Sequence, residues 1–250
     1  MTRGVPAGGD ADLAAVAGLL GDRARSRMLL ALTGGRELAA GLLADEAGVS
    51  RSTASEHLRW LVEGGLVSVR AVGRNRHYRL ANDRVAAAIE QLIALAPAQP
   101  VTSLSGSRRA DRLRVARTCY DHLAGRVGVG IMRGMLDRGL LTGGPGLPEL
   151  DGADTPASPG HDYDYRLTED GHAHLDALGV RLPAGRRPLI RYCVDWTETR
   201  HHLAGRLGRG LRDRALEAGW VRPLPTYRAL EVTAAGATVL ADAFGVRLGA

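Results

Sequence analysis

With 250 residues and 45% apolar content, the chain has material for two domains, and no run approaches the roughly 18 uninterrupted apolar residues of a membrane helix. The formal net charge of +6, carried by 33 arginines and no lysine, favours a polyanionic partner, while Cys119 and Cys193 are too few for a disulfide framework. Free thiols and the lack of a secretory pattern point to a cytoplasmic protein, with residues 1–11 as a disordered lead-in.

From there the elements follow in order. Leu13, Val16, Ala17 and Leu20 fall at helical spacing behind Asp10 and Asp12, and Ala24, Met28, Leu29 and Leu32 repeat the pattern up to Gly34-Gly35. A short helix is expected over about 41–47, with Gly48 supplying the turn. Ser50 then caps a helix whose Ala54, Leu58, Leu61 and Val62 share one apolar face. The opposite face carries hydroxyls and arginine, which suits insertion into a groove: small hydroxyls let the backbone approach phosphates, and arginine forks onto guanine. After Gly64-Gly65, residues 66–70 and 76–80 alternate as the arms of a hairpin with Gly73-Arg74-Asn75 at its tip. A last helix starts at Asn82 or Asp83 and carries Val85, Ile89, Leu92, Ile93 and Ala96 on one stripe, more apolar face than one small domain needs. Between Arg51 and Arg79, six arginines stand against Glu56 and Glu63.

The segments AGVSRSTASEHLRWLVEGGLV and GRNRHYRL, at 47–67 and 73–80, resemble the ArsR family of winged-helix repressors over about residues 12–95. The resemblance implies a homodimer joined by the first and last helices, recognition helices in successive major grooves of double-stranded DNA, and release of DNA when a signal is sensed. The residues expected to face the duplex are Ser50, Arg51, Ser52, Thr53, Ser55, Glu56, His57 and Arg59 on the helix, with Arg70, Arg74, Asn75 and Arg76 on the hairpin. For His57 a second reading stands beside DNA contact, a partly buried ring bonded to the hairpin; Trp60 reads as core or dimer packing. Family members that sense metals use thiolates on the helix before the recognition helix, or Asp and His on the last helix. The corresponding segments, 37–48 and 82–96, hold neither Cys nor His. DNA binding itself calls for no cofactor.

Residues 97–111 read as a linker, and the rest as a duplication. HLAGRVGVG at 122–130 recurs as HLAGRLGRG at 202–210, an offset of 80, and the lead-ins Arg117-Thr-Cys119-Tyr-Asp121 and Arg191-Tyr-Cys193-Val-Asp195 also match. The repeats span 112–182 and 188–250. Each reads helix, helix, hairpin, helix, with the first hairpin enlarged by a mobile Gly-, Pro- and Asp-rich loop from Thr142 to Asp164. The fold class is therefore mainly α with small β-hairpins (α+β): a winged helix-turn-helix domain over 12–96 plus a C-terminal domain, 112–250, of two winged-helix-like repeats.

On the helical reading, Leu113, Ala116, Cys119, Tyr120, Leu123 and Val127 form one stripe, and Cys193 shares a face with Leu189 and Trp196. Both cysteines then read as small buried hydrophobes. A sharper reading starts from His122, three residues after Cys119. If the copies face each other, Cys119, Asp121, His122, Cys193, Asp195, His201 and His202 could bind a metal or haem, or form a redox-sensitive thiol pair. A third is an apolar pocket for an organic effector. His161, His172 and His174 read as surface or loop residues. The function expected is a sequence-specific DNA-binding regulator, a repressor released by an effector sensed in the C-terminal domain; the alternative is a winged-helix adaptor for protein contacts. No nucleophile elbow, phosphate loop or zinc-protease signature suggests an enzyme.

Overall fold

Side-chain caps set the N-terminal helices. In the computed structural model, which describes residues 10–96, 104–149, 151–156, 159–224 and 228–248, Asp12 accepts from the Ala15 amide and starts α1 (Leu13–Leu20). α2 (Arg23–Leu32), β1 (Leu38–Ala39) and α3 (Ala40–Ala47) follow, and Gly48, at φ 72°, turns the chain toward α4 (Arg51–Glu63). That left-handed conformation is cheap only for glycine. Ser50 caps α4 by accepting from the Thr53 amide at 3.2 Å. β2 (Val67–Val72) and β3 (Asn75–Leu80) form the expected hairpin, and β1 adds to it in the order β1-β3-β2. Met28, Leu32, Leu43, Leu58 and Leu61 are wholly buried and form the centre of this unit. The two-residue β1 had no period of its own to reveal it in sequence.

The chain divides into two compact units, Met1–Leu32 with Glu37–Ala81, and Thr33–Arg36 with Asn82–Ala250. α5 (Asp83–Leu95), started by Asn82 through a 3.1 Å bond from the Val85 amide, thus belongs with the C-terminal unit and not with the winged helix. The reason is visible in its buried Glu90, whose two carboxylate oxygens accept from Arg228 Nη1 at 2.8 and 2.9 Å. Of the expected linker, residues 97–103 lie outside the described residues, and the remainder falls in a helix, α6 (Leu104–Val115).

The duplication takes a different form from the one expected. The first copy runs β4 (Arg117–Cys119), β5 (His122–Ala124), α7 (Gly125–Asp137), β6 (Leu141–Thr142), β7 (Arg166–Leu167) and α8 (Glu169–Ala177). The second runs β8 (Arg191–Val194), β9 (His201–Ala204), α9 (Gly205–Glu217), β10 (Val221–Pro223), β11 (Leu230–Val232) and α10 (Ala234–Phe244). Each copy is therefore hairpin, helix, hairpin, helix. The supposed stripe from Leu113 to Val127 is broken by an antiparallel hairpin, Arg117↔Ala124, Thr118↔Leu123 and Cys119↔His122. Cys193 is likewise on a strand, with Trp196 in the turn beyond it.

Equivalent devices recur in both copies. Thr168 and Thr233 cap α8 and α10 by accepting from the amides of Gly171 and Gly236 at 3.0 and 2.9 Å. A Cβ at Gly171 or Gly236 would stand 2.1 or 1.9 Å from the carbonyl oxygen of Leu140 or Trp220, so only glycine lets these helices approach. Val127, Met132, Leu141, Leu207, Leu211 and Phe244 belong to one apolar core shared by the copies. In the segment before β7, Asp162 accepts from the amides of Ala153 and Asp154, and the buried Asp154 accepts from Tyr192 Oη at 2.6 Å. Among the described residues no helix is long and apolar enough to cross a membrane.

Candidate nucleic-acid interface and thiol–imidazole cluster

α4 buries Ala54, Leu58 and Leu61, and this fixes what its other face shows. Ser50, Arg51, Ser52, Thr53, Ser55, Glu56 and Arg59 are all exposed. The hydroxyls are organised before any partner arrives: Ser50 Oγ lies 2.8 Å from Ser52 Oγ and 2.9 Å from Thr53 Oγ1, and Ser55 Oγ donates to the Arg51 carbonyl. Arg59 pairs with Glu63 one turn on, at 3.2 Å, an exposed bond that a stronger anion can displace. On the hairpin, Arg74, Asn75 and Arg76 are exposed around Gly73, which takes φ 59°. A cleft of about 750 Å³ lies between helix and hairpin, and Ser55, Glu56, Arg59, Arg74, Asn75 and Arg76 all line it.

Two residues of the expected set are held in place by the protein. His57 is largely covered, with Nδ1 3.4 Å from Arg25 Nη1 and 3.9 Å from Asp22, so its fixed partners are at the start of α2 and not on the hairpin. Arg25 in turn donates to the carbonyls of Gly18 and Leu19, closing the C-terminal end of α1, and lies 5.2 Å from the centre of the Trp60 ring. Arg70 is exposed but forks onto Glu37 Oε1 at 2.8 and 3.1 Å. Glu37 and Asp22 escape sequence reading because each acts on a residue distant along the chain.

A helix-turn-helix domain model matches residues 20–70, which include α2, α3 and α4. The chain is also 39% identical over 228 residues to the HTH-type transcriptional regulator YdfF of Bacillus subtilis, covering 90% of this chain and 93% of that one. The chain belongs to the HTH-type transcriptional regulators. Among solved structures, the regulator is similar to reduced HlyU from Vibrio cholerae (30% identity, 34% of this chain, 88% of that chain, TM-score 0.32). It is also similar to NolR from Sinorhizobium fredii (29% identity, 34% and 85%, TM-score 0.31) and to the transcriptional repressor BigR from Xylella fastidiosa (26% identity, 35% and 89%, TM-score 0.32).

The regulator's C-terminal unit holds the second cluster. Cys119 pairs with His122 across one hairpin, and Cys193 with His202 across its counterpart. The rings of His122 and His202 approach to 5.1 Å between centres. Ligand atoms of Cys119, His122 and His202 all lie within 4.8 Å of one another, and these side chains are buried. The half-buried Cys193, burial and the nearby Glu90 carboxylate push the Cys119 thiol well above its ordinary range. Burial, with His122 adjacent, holds His202 well below the ordinary imidazole range, so its ring is neutral.

The rest of the expected set sits around this cluster. Asp121 accepts from His122 Nδ1 at 3.3 Å and from Arg187. Asp195, wholly buried, is used up by Arg117 Nη2 at 2.8 Å, the Gly125 amide at 2.7 Å and the hydroxyl and amide of Thr197. His201 lies elsewhere: alternation along β9 turns it away from His202, to bond Tyr165 Oη at 2.8 Å and lie 3.6 Å from Asp154. His174 is not a free surface residue, since its ring meets Phe244 edge-on at 5.6 Å. Sequence reading missed Glu90, whose carboxylate lies 3.9 Å from Cys119 Sγ.

Proposed function

We propose that this regulator binds double-stranded DNA as a homodimer, places α4 in the major groove and the β2–β3 tip against the neighbouring backbone, and represses transcription until a signal reaches its C-terminal unit. The role is regulatory and not catalytic. One observation carries the DNA reading: Ser55 and Arg59, on the exposed hydroxyl and arginine face of α4, line the same cleft as Arg74, Asn75 and Arg76 of the hairpin tip. Backbone contacts of this kind give register and affinity, and the helix N-terminus reads base edges. The homodimer reading draws on the ArsR resemblance and on apolar side chains left uncovered on its two expected dimer helices, Leu13 and Val16 on α1 and Leu92 and Leu95 on α5.

The test is a salt series of duplex binding with the chain's own upstream DNA. Arg74→Ala with Arg76→Ala is expected to weaken binding and to reduce the slope of log affinity against log salt by about 2, one for each lost phosphate contact. An unchanged slope removes the hairpin from the interface. Absence of any duplex affinity in the unmodified chain overturns the reading in favour of a protein-interaction adaptor.

A further inference from the structure

His122 Nε2 and both ring nitrogens of His202 are buried without a hydrogen-bond partner. Such groups are rare in folded proteins, because each costs the water it gave up and receives nothing in return. These nitrogens lie beside the Cys119 thiol and, through it, Cys193. One thiol and two imidazoles converge here in buried surroundings, with the Cys193 thiol beside Cys119, and together they offer the donor set that borderline, tetrahedral cations prefer.

We propose that Cys119, His122 and His202, with Cys193 as the fourth ligand, form a buried tetrahedral site for Zn²⁺. The ligand atoms of a tetrahedral zinc site lie about 3.3–3.8 Å apart, against separations of up to 4.8 Å among Cys119, His122 and His202. A contraction of about 1 Å, within reach of side-chain rotation, closes them on the ion. Binding takes both thiolates and releases their protons to solvent. Asp121, 3.3 Å from His122 Nδ1, orients that ring so that Nε2 faces the metal. The second ring has no such support, since Asp195 Oδ2 stops 3.9 Å short of His202 Nδ1 and is already bonded to Arg117 and the Gly125 amide. Glu90 is not a ligand, because Arg228 holds both its oxygens. Its place beside Cys119 gives the metal a mechanical route to α5, and the half-buried Cys193 marks the way in. This last step rests on the proposal that the C-terminal unit receives the signal; the site itself does not.

The probe is Co²⁺, titrated into the reduced, metal-free full chain and then displaced by Zn²⁺. One equivalent per chain is expected, with tetrahedral d–d bands and a thiolate-to-cobalt charge-transfer band that Zn²⁺ abolishes. Cys193→Ser, at the least buried ligand, should remove one thiolate's share of that band while leaving the circular dichroism unchanged, and Cys119→Ser should do the same. Asp121→Asn should weaken affinity about 10–100-fold. Octahedral cobalt without charge transfer, or a chain that forms a Cys119–Cys193 disulfide in air and takes no metal when reduced, overturns the site. Duplex binding measured with and without Zn²⁺ separates the two readings. A metal that binds without altering DNA affinity removes the sensing role alone, and a chain that takes metal but never binds DNA removes the DNA reading alone.

Discussion

The two candidate sites handle charge in opposite ways. In the winged helix the arginines of α4 and the hairpin tip point outward, with only exposed carboxylates such as Glu63 to hold them. The C-terminal unit adds a cluster of ionisable groups that point inward: Arg117 and Asp195 are 1% and 0% exposed, and Glu90, Arg228, His122 and His202 are buried with them. Outward charge costs the fold little and is free to meet a partner. Inward charge must be matched atom by atom, so it either specifies the structure or waits for a ligand. A mutation should therefore reveal which kind of charge it removes.

The largest effect is expected from Asp195→Ala. It strands the Arg117 guanidinium, whose Nη2 loses its 2.8 Å partner, and frees the Gly125 amide at the start of α7. Leaving one buried charge unpaired costs about 3–5 kcal/mol, to be read from urea unfolding of the full chain; a loss under about 1 kcal/mol, the worth of an exposed pair, would show that the buried pair behaves like a surface one. Next comes Gly236→Ala, which drives a methyl into the Trp220 carbonyl at 1.9 Å. Overpacking of this kind costs about 1–3 kcal/mol, and Gly171→Ala should match it if the copies are equivalent. Ser50→Ala, which removes the cap of α4, should cost about 1 kcal/mol and weaken duplex binding as well. At the small end, Arg74→Ala with Arg76→Ala should leave stability within about 0.5 kcal/mol of the unmodified chain while lowering DNA affinity. A stability loss as large as that of Asp195→Ala would erase the contrast between the sites.

The winged helix was legible because its signals are local. Asp12 and Ser50 cap where the pattern starts, and Gly48 turns where it stops. The segment 117–124 misled for the opposite reason. Its residues are buried on both faces of the hairpin apart from the turn residue Tyr120. The apolar Cys119, Tyr120 and Leu123 fall at spacings that a helical stripe would also give, while the polar Arg117, Thr118, Asp121 and His122 are buried between them. A correct signal was nonetheless present. Cys119 and Cys193 are 74 positions apart, but His122 and His202 are 80 apart, so one copy carries six extra residues between cysteine and histidine. An insertion there belongs in a turn, since a helix interior would be thrown out of phase, and the structure has it between β8 and β9. Tyr120 at φ 56° marks the tight turn of the shorter copy. The pairing of Cys119 with His122 was thus anticipated from the wrong geometry: helical spacing suggested it, and a strand ladder delivers it. What no local pattern could show is which distant groups meet, such as Glu90 with Arg228 or Asp195 with Arg117.

The glycines at the starts of α7 and α9 carry one more consequence. A Cβ at Gly128 would meet the Cβ of His202 at 3.6 Å, and one at Gly208 would meet that of His122 at 3.1 Å. Each copy therefore roofs the other's histidine, and the exchange is reciprocal, as across the axis of a two-fold dimer. Neither half is a finished object. Cut away from the other, either half would open its imidazole and its side of the shared apolar core to water.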